Sequence, residues 1–190
     1  HSVHGAVAES MHVFIEAGLK TKLKDCQPVN ILEVGLGTGL NAALTLVEAE
    51  NTMTIISYFA VEPNPLLAED ILQLNYSDTS GSNRMKEVIP AIHAASRDNE
   101  VHISPYFIFN YFEKRIQDVE FKNDFFDVVY FDAFSPGVQP EMWTIDVFQK
   151  IFSSMKPGGI LVTYVAKGEV RRTMKACGFT IEKLPGFAGK

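Results

Sequence analysis

The stretch Glu33-Val34-Gly35-Leu36-Gly37-Thr38-Gly39-Leu40-Asn41 ends a short apolar run, residues 30–34 (NILEV), and leads into 40–49, which reads as a helix. A strand, a glycine-rich turn and a helix therefore follow one another without a break. Glycines let the backbone turn sharply and approach a ligand with no Cβ in the way. The helix behind them aims its first amide N–H groups at the same space. A dinucleotide site uses G-x-G-x-x-G, which sets a pyrophosphate on the helix N-terminus. Here the third glycine, Gly39, comes one residue early and Leu40 stands at the dinucleotide position. Without a ligand, the same residues would be only a tight strand-to-helix turn.

Outward from this turn, strands and helices alternate. Val7, Met11, Phe14 and Ile15 recur at i, i+4, i+7 and i+8 and predict an amphipathic helix that ends near Gly18. Strands are expected at 54–61, 106–109, 126–131, 160–165 and 179–184, and helices at 65–74, 146–155 and 169–176. The polar stretch 77–84 (SDTSGSNR) reads as a flexible loop. Such alternation predicts an α/β fold, a mostly parallel sheet with helices on both faces. Right-handed crossovers then bring the carboxyl ends of the strands to one edge, where open sheets of this kind bind ligands. Residues just beyond each strand are thus the candidate functional residues.

Glu62 ends the second strand, and a carboxylate there can accept hydrogen bonds from both ribose hydroxyls; its structural alternative is an idle carboxylate at a loop start. Asp132 ends the 126–131 strand, where it could orient an amine or face a cationic cofactor, or merely start a turn before Pro136. Asp127 lies at the opposite end of that strand and reads as structural. Lys167, Arg171 and Arg172, with Lys175 one turn on, put cations on the functional edge, suited to phosphate or simply to solvent. Phe134 and Trp143 could line a pocket for a base or pack in the core.

Composition narrows the class. The chain has 190 residues, 46% hydrophobic, with a net charge of −6, enough for one domain over 1–190 with a continuous core. No apolar run is long enough to span a membrane, and no signal peptide is visible; a cytoplasmic location is expected. The chain opens on His1 and stops at Lys190, which leaves room for truncation at both ends. Two cysteines, Cys26 and Cys177, make no disulfide framework. His4 and His12 lack metal-ligand spacing, and no metal is expected. The acidic balance argues against a protein that holds nucleic acid tightly by its own charge.

The pattern E-x-G-x-G-x-G over Glu33–Gly39 resembles the first motif of Rossmann-like methyltransferases that use S-adenosylmethionine. Further blocks narrow the resemblance. They are 5–15 (GAVAESMHVFI), Phe131-Asp132-Ala133-Phe134-Ser135-Pro136, Gln139-Pro140-Glu141-Met142-Trp143-Thr144, Thr163-Tyr164, Lys167-Gly168, Arg171-Arg172, and Gly186 with Gly189-Lys190. Together they resemble the methyltransferase component of the MnmC family, over nearly the whole chain and most weakly in 77–125. The resemblance implies a Rossmann-like fold, S-adenosylmethionine as cofactor, and tRNA carrying 5-aminomethyl-2-thiouridine at the wobble position as substrate, methylated on its exocyclic amine. It implies that Glu33, Gly35, Gly37, Thr38, Gly39 and Asn41 hold the cofactor with Glu62 on the ribose. It places Asp132 beside the reacting methyl and amine, and Phe134, Lys167, Arg171 and Arg172 against the tRNA. A flavin-dependent oxidoreductase acting on the same nucleoside is the implied partner. Where the family has Gly-Asp after its third strand, to meet the adenine, this chain has Asn110-Tyr111.

Four other readings compete. A nicotinamide dehydrogenase is disfavoured by the glycine spacing. An aminopropyltransferase of the spermidine-synthase type suits an acidic protein and a cationic polyamine. A methyltransferase acting on another amine shares every cofactor residue. A non-catalytic module of the same fold would have no need of the Gly35/Gly37/Gly39, Glu62 and Asp132 set.

Overall fold

The computed structural model describes residues 3–23, 27–74 and 83–185. Cys26, most of the expected 77–84 loop, His1, Gly186, Gly189 and Lys190 lie outside them. Among the described residues, six strands form one sheet: β1 Val29–Val34, β2 Ile56–Val61, β3 Glu100–Ser104, β4 Phe107–Phe112, β5 Phe126–Phe131 and β6 Met155–Val162. Their order is β3-β4-β2-β1-β5-β6. All neighbours pair in parallel except β3 with β4, which form an antiparallel edge.

The parallel strands are rich in β-branched and aromatic side chains because helices cover both faces. One face carries α1 Val3–Ser10 with the π-helical turn Met11–Glu16 that continues it, α2 Leu40–Thr52 and α4 Arg84–Ala94. The other carries α5 Ile145–Ser154 and α6 Gly168–Ala176. A short α3, Ala68–Gln73, follows β2. On the second face Phe131 packs between Trp143 and Phe148, with ring centroids 4.9 and 5.1 Å away.

Register is what builds the site. Val34 of β1 lies opposite both Val61 of β2 and Phe131 of β5, and Val61 lies opposite Phe112 of β4. The ladder continues one residue beyond each strand: Gly35 N–H donates to Val61 O (3.0 Å), Asp132 N–H to Val34 O (2.9 Å) and Glu62 N–H to Phe112 O (3.0 Å). Gly35, Glu62 and Asp132 are therefore fixed side by side at one edge. Asp127 is held at the far edge by Lys156 (2.8 Å) and by the Asn30 N–H (2.9 Å).

Several elements differ from the sequence expectations. Residues 179–184 form no strand; Phe179 instead packs on Phe152 and Phe148 of α5, at 4.9 and 6.4 Å between centroids. The apolar alternation there serves helix packing rather than a ladder. Helix α4 was not foreseen, because Pro90 interrupts its pattern; an ion pair of Arg84 with Glu50 of α2 (2.8 Å) ties down its start. Strand β3 was not foreseen either: its five residues, EVHIS, alternate polar and apolar, with Val101 and Ile103 packed against the core, but the run is short. The last strand begins at Met155 rather than 160, and residues between Met155 and Ile160 loop out of register with β5. The π-helical turn buries Val13, Phe14 and Ile15 in succession, where a regular helix would bury them at wider spacing.

Candidate active site

The glycine turn does two different jobs. Gly35 has φ +90°, and a Cβ there would sit 2.8 Å from Asp132 O, so the β1 and β5 loops touch backbone to backbone. Gly37 has φ +50° and nothing within 4 Å of where a Cβ would be. It opens onto a cavity of about 1180 Å³ at the carboxyl edge of the sheet. Thr38, Asn41, Glu62, Asp132 and Phe134 line the same cavity. Gly39 does not; it starts α2 with His93 packed beneath it, and His93 Nε2 lies 3.1 Å from Thr38 O. Glu33 is fully buried and meets the cavity through Asn41.

Asn41 bridges two carboxylates. Its Nδ2 donates to Glu33 Oε1 at 3.0 Å and to Asp132 Oδ2 at 2.8 Å. Asn41 Oδ1 and Glu33 Oε2 are buried with no hydrogen-bond partner among the described residues. Burial, with the nearby Asp132 charge, raises Glu33 well above the usual carboxylate range. Burial also pushes Asp132 up to about 7, opposed by its bond from Asn41 and assisted by Glu9. Two acids packed this closely share their charge poorly. Glu33→Gln, the neutral isostere, should therefore fold normally and gain roughly 1 kcal/mol or more over wild type at pH 8. Urea unfolding at pH 5 and pH 8 checks it, with the gain larger at pH 8.

Glu62 is oriented by its own loop: Oε1 accepts from Asn64 N–H (2.8 Å) and Oε2 from Gly37 N–H (3.3 Å). Its two oxygens thus stand beside the glycine turn. Beyond β4, the cavity wall is Arg115, Ile116 and Gln117. Asn110 and Tyr111 lie inside β4, with Tyr111 buried, because that strand runs three residues past the expected end. Phe134 is 69% exposed at the cavity mouth, whereas Trp143 is buried and donates Nε1–H to Phe134 O at 2.8 Å, fixing the loop.

Lys167, Arg171 and Arg172 are exposed at the start of α6, outside the cavity lining. Tyr164, which does line it, stands three residues before Lys167 and donates its hydroxyl to Ala133 O at 2.7 Å. Glu9 also lines the cavity, from α1. A single acidic residue in an amphipathic helix gives no signal distinguishing a cavity face from a solvent face. His12 Nε2 contacts Pro185 O (3.1 Å), and Cys177 is buried with Sγ 3.6 Å from Ile145 O.

Comparison with known proteins bears on this edge. A family model described as S-adenosyl-L-methionine-dependent methyltransferase matches residues 84–190. Over its whole length the chain is 26% identical to the tRNA 5-methylaminomethyl-2-thiouridine biosynthesis bifunctional protein MnmC of Burkholderia multivorans and 28% identical to that of Cupriavidus necator. It spans 30% of the length of each. A crystal structure of MnmC2 from Aquifex aeolicus has the same fold, with a TM-score of 0.72 at 24% identity, covering 92% of this chain and 55% of that one.

Proposed function

The chain belongs to the S-adenosyl-L-methionine-dependent methyltransferase family, and from that premise we propose that it methylates the exocyclic amine of 5-aminomethyl-2-thiouridine at the tRNA wobble position. The observation that carries this reading is the place of Asp132, a carboxyl that burial pushes up to about 7, in the lining of a cavity large enough for two ligands. Single-ligand sites are typically about 300–1,000 Å³. The names of the MnmC relatives supply the nucleoside.

The residues present fit the cofactor. Gly37 leaves open the space a Cβ would fill, Glu62 offers two oxygens for ribose hydroxyls, and Asn41 Oδ1 is a buried acceptor without a partner among the described residues. When bound, the cofactor supplies a methyl carbon already activated by a sulfonium. The protein's task is to align an unprotonated amine with it. Asp132 orients the amine and accepts its proton, and a group with pKa near the working pH is suited to that. Burial around Asp132 disfavours charge, which favours the neutral amine. Phe134 at the mouth offers a face for a base, and Lys167, Arg171 and Arg172 lie on the outer edge for phosphates.

Charge sets an expectation for binding. An acidic chain with a small basic surface should hold tRNA weakly and in a salt-sensitive way. Replacing Lys167, Arg171 and Arg172 together by Ala should lower the slope of log affinity against log salt by roughly 2. Titrations at several salt concentrations check this; an unchanged slope takes these residues off the tRNA path.

The partner in this proposal is a flavin-dependent oxidoreductase that makes the amine, in keeping with the bifunctional relatives. A tRNA substrate points to the cytoplasm, and among the described residues no helix is long and apolar enough to cross a membrane. The acidic lining (Glu9, Glu62, Asp132, Glu141) also favours a second reading, aminopropyl transfer to a polyamine. Incubation with methyl-labelled S-adenosyl-L-methionine and tRNA from cells lacking the terminal wobble methylation decides. Label recovered as 5-methylaminomethyl-2-thiouridine supports the proposal; no label, with turnover of decarboxylated cofactor and putrescine, supports the alternative.

A further inference from the structure

Gly39 N–H donates to Leu36 O at 2.8 Å, which makes Gly37 and Thr38 the central residues of the glycine turn, and both line the cavity. Gly39 has φ +76°, a conformation that glycine reaches about as readily as the ordinary one. Such a backbone gives the Thr38–Gly39 peptide little resistance to a flip, which would swing the Thr38 carbonyl round to the opposite side. A residue outside the cavity opposes this. His93 of α4, 7% exposed, brings Nε2 to 3.1 Å from Thr38 O. A carbonyl oxygen only accepts, so Nε2 carries the proton. Burial lowers the His93 pKa, opposed by the bond to Thr38 and assisted by the Arg97 charge. A neutral ring has a single N–H, which leaves Nδ1 bare. Nδ1 is indeed buried with no hydrogen-bond partner among the described residues. A Cβ at Gly39 would stand 3.3 Å from His93 Nε2, so the missing side chain gives the ring room to reach the carbonyl.

We propose that His93 is a positioning residue for the cofactor: its Nε2–H holds the Thr38 carbonyl back and so keeps the tip of the turn open for the amino-acid end of S-adenosyl-L-methionine. The inference rests on the reading above that this turn is the cofactor's cradle, and it does not depend on which amine is methylated. Three bonds then fix the tip: Gly37 N–H to Glu62 Oε2 (3.3 Å), Gly39 N–H to Leu36 O and His93 Nε2–H to Thr38 O. The first two act from the loops after β2 and β1. The third comes from α4, a helix that contributes no residue to the cavity lining. Without it a flipped turn competes with the open one, and cofactor affinity falls in proportion to the open fraction.

The test measures S-adenosylhomocysteine binding by calorimetry to wild type, His93→Leu, His93→Asn and His93→Gln. A Gln amide nitrogen reaches the place of Nε2, whereas an Asn amide nitrogen stops at the place of Nδ1, so His93→Gln alone keeps the donor to Thr38 O. His93→Leu and His93→Asn should raise the Kd by about tenfold, the worth of one hydrogen bond. His93→Gln should restore most of the affinity. Thermal unfolding of the same proteins separates the roles, because a ring that merely packs would lower Tm and leave Kd unchanged. A second readout needs no variant and stands if the substituted proteins do not fold: proton–nitrogen NMR of the ring in cofactor-free wild type should find Nε2 protonated and Nδ1 bare. The inference is overturned by a His93→Leu that binds as wild type does, by a folded His93→Gln as weak as His93→Leu, or by a proton on Nδ1 in place of Nε2. Wild type that binds no S-adenosylhomocysteine removes the cradle reading itself, and the inference falls with it.

Discussion

Asp132→Ala binds S-adenosyl-L-methionine and loses methyl transfer by about 10²–10⁴-fold, the span expected when a positioned acid–base group is removed. The other supports proposed for the cofactor, the open turn at Gly37 and the Glu62 oxygens, do not depend on this carboxylate. What is lost is the group proposed to orient the amine and take its proton. Asp132→Asn separates this role from packing, because the amide keeps the shape and a place beside Asn41. It should be as inactive as the Ala variant and more stable than wild type. The sign follows from the raised pKa. Asp132 titrates near 7 in the fold, against the usual 3.8. Below about pH 4 both states hold the proton and the carboxyl costs nothing. As pH rises from there to 7 the unfolded chain gains from ionising while the folded one resists, so wild type loses stability across that window. Asp132→Asn escapes this loss and should gain roughly 2–4 kcal/mol at pH 8 and none at pH 4. Single-turnover rates with calorimetric binding check the first part, and urea unfolding at the two pH values checks the second. Undiminished turnover would remove Asp132 from catalysis.

Gly35→Ala and Gly37→Val should fail in opposite ways. At Gly35 a methyl meets Asp132 O at 2.8 Å, on a backbone pinned by the Asp132 N–H to Val34 O bond, and φ is +90° besides. Neither strand can retreat without breaking the ladder, so Gly35→Ala should cost about 3–5 kcal/mol of stability. At Gly37 a Cβ meets nothing within 4 Å. Strain at its positive φ costs about 1–3 kcal/mol, so Gly37→Val folds, but its side chain occupies the cradle. Cofactor affinity should drop by about 10²-fold or more, near 3 kcal/mol. Thermal unfolding and calorimetry together read the contrast. A Gly37→Val protein that binds the cofactor as wild type does would show that the turn is not the cradle.

The parts of the site legible in the sequence are those that follow strands. Gly35, Glu62 and Asp132 are one step past β1, β2 and β5, and parallel register carries them to one edge whatever the loops do. The glycine spacing set the turn apart from a dinucleotide site for the same local reason. What could not be read depends on tertiary packing. Glu9 faces the cavity only because α1 docks across the carboxyl edge. The cavity wall beyond β4 is Arg115–Gln117 rather than Asn110-Tyr111 because β4 runs on to Phe112, an extension set by its pairing with β2. Helix α4 was hidden by Pro90, and residues 179–184 carry strand-like alternation that is used to cover α5. Trp143 and Phe134 look alike in the sequence, yet one is core and the other is the cavity mouth, decided by which end of the β5 loop tucks under α5.

The account rests on the cavity between the β1, β2 and β5 loops being where cofactor and amine meet, and a crystal structure with S-adenosylhomocysteine tests it most directly. The ribose hydroxyls should lie on Glu62, the amino-acid end over the turn at Gly37, and the sulfur should face Asp132. A nucleoside bound with its ribose away from Glu62, or its sulfur turned from Asp132, would contradict the account.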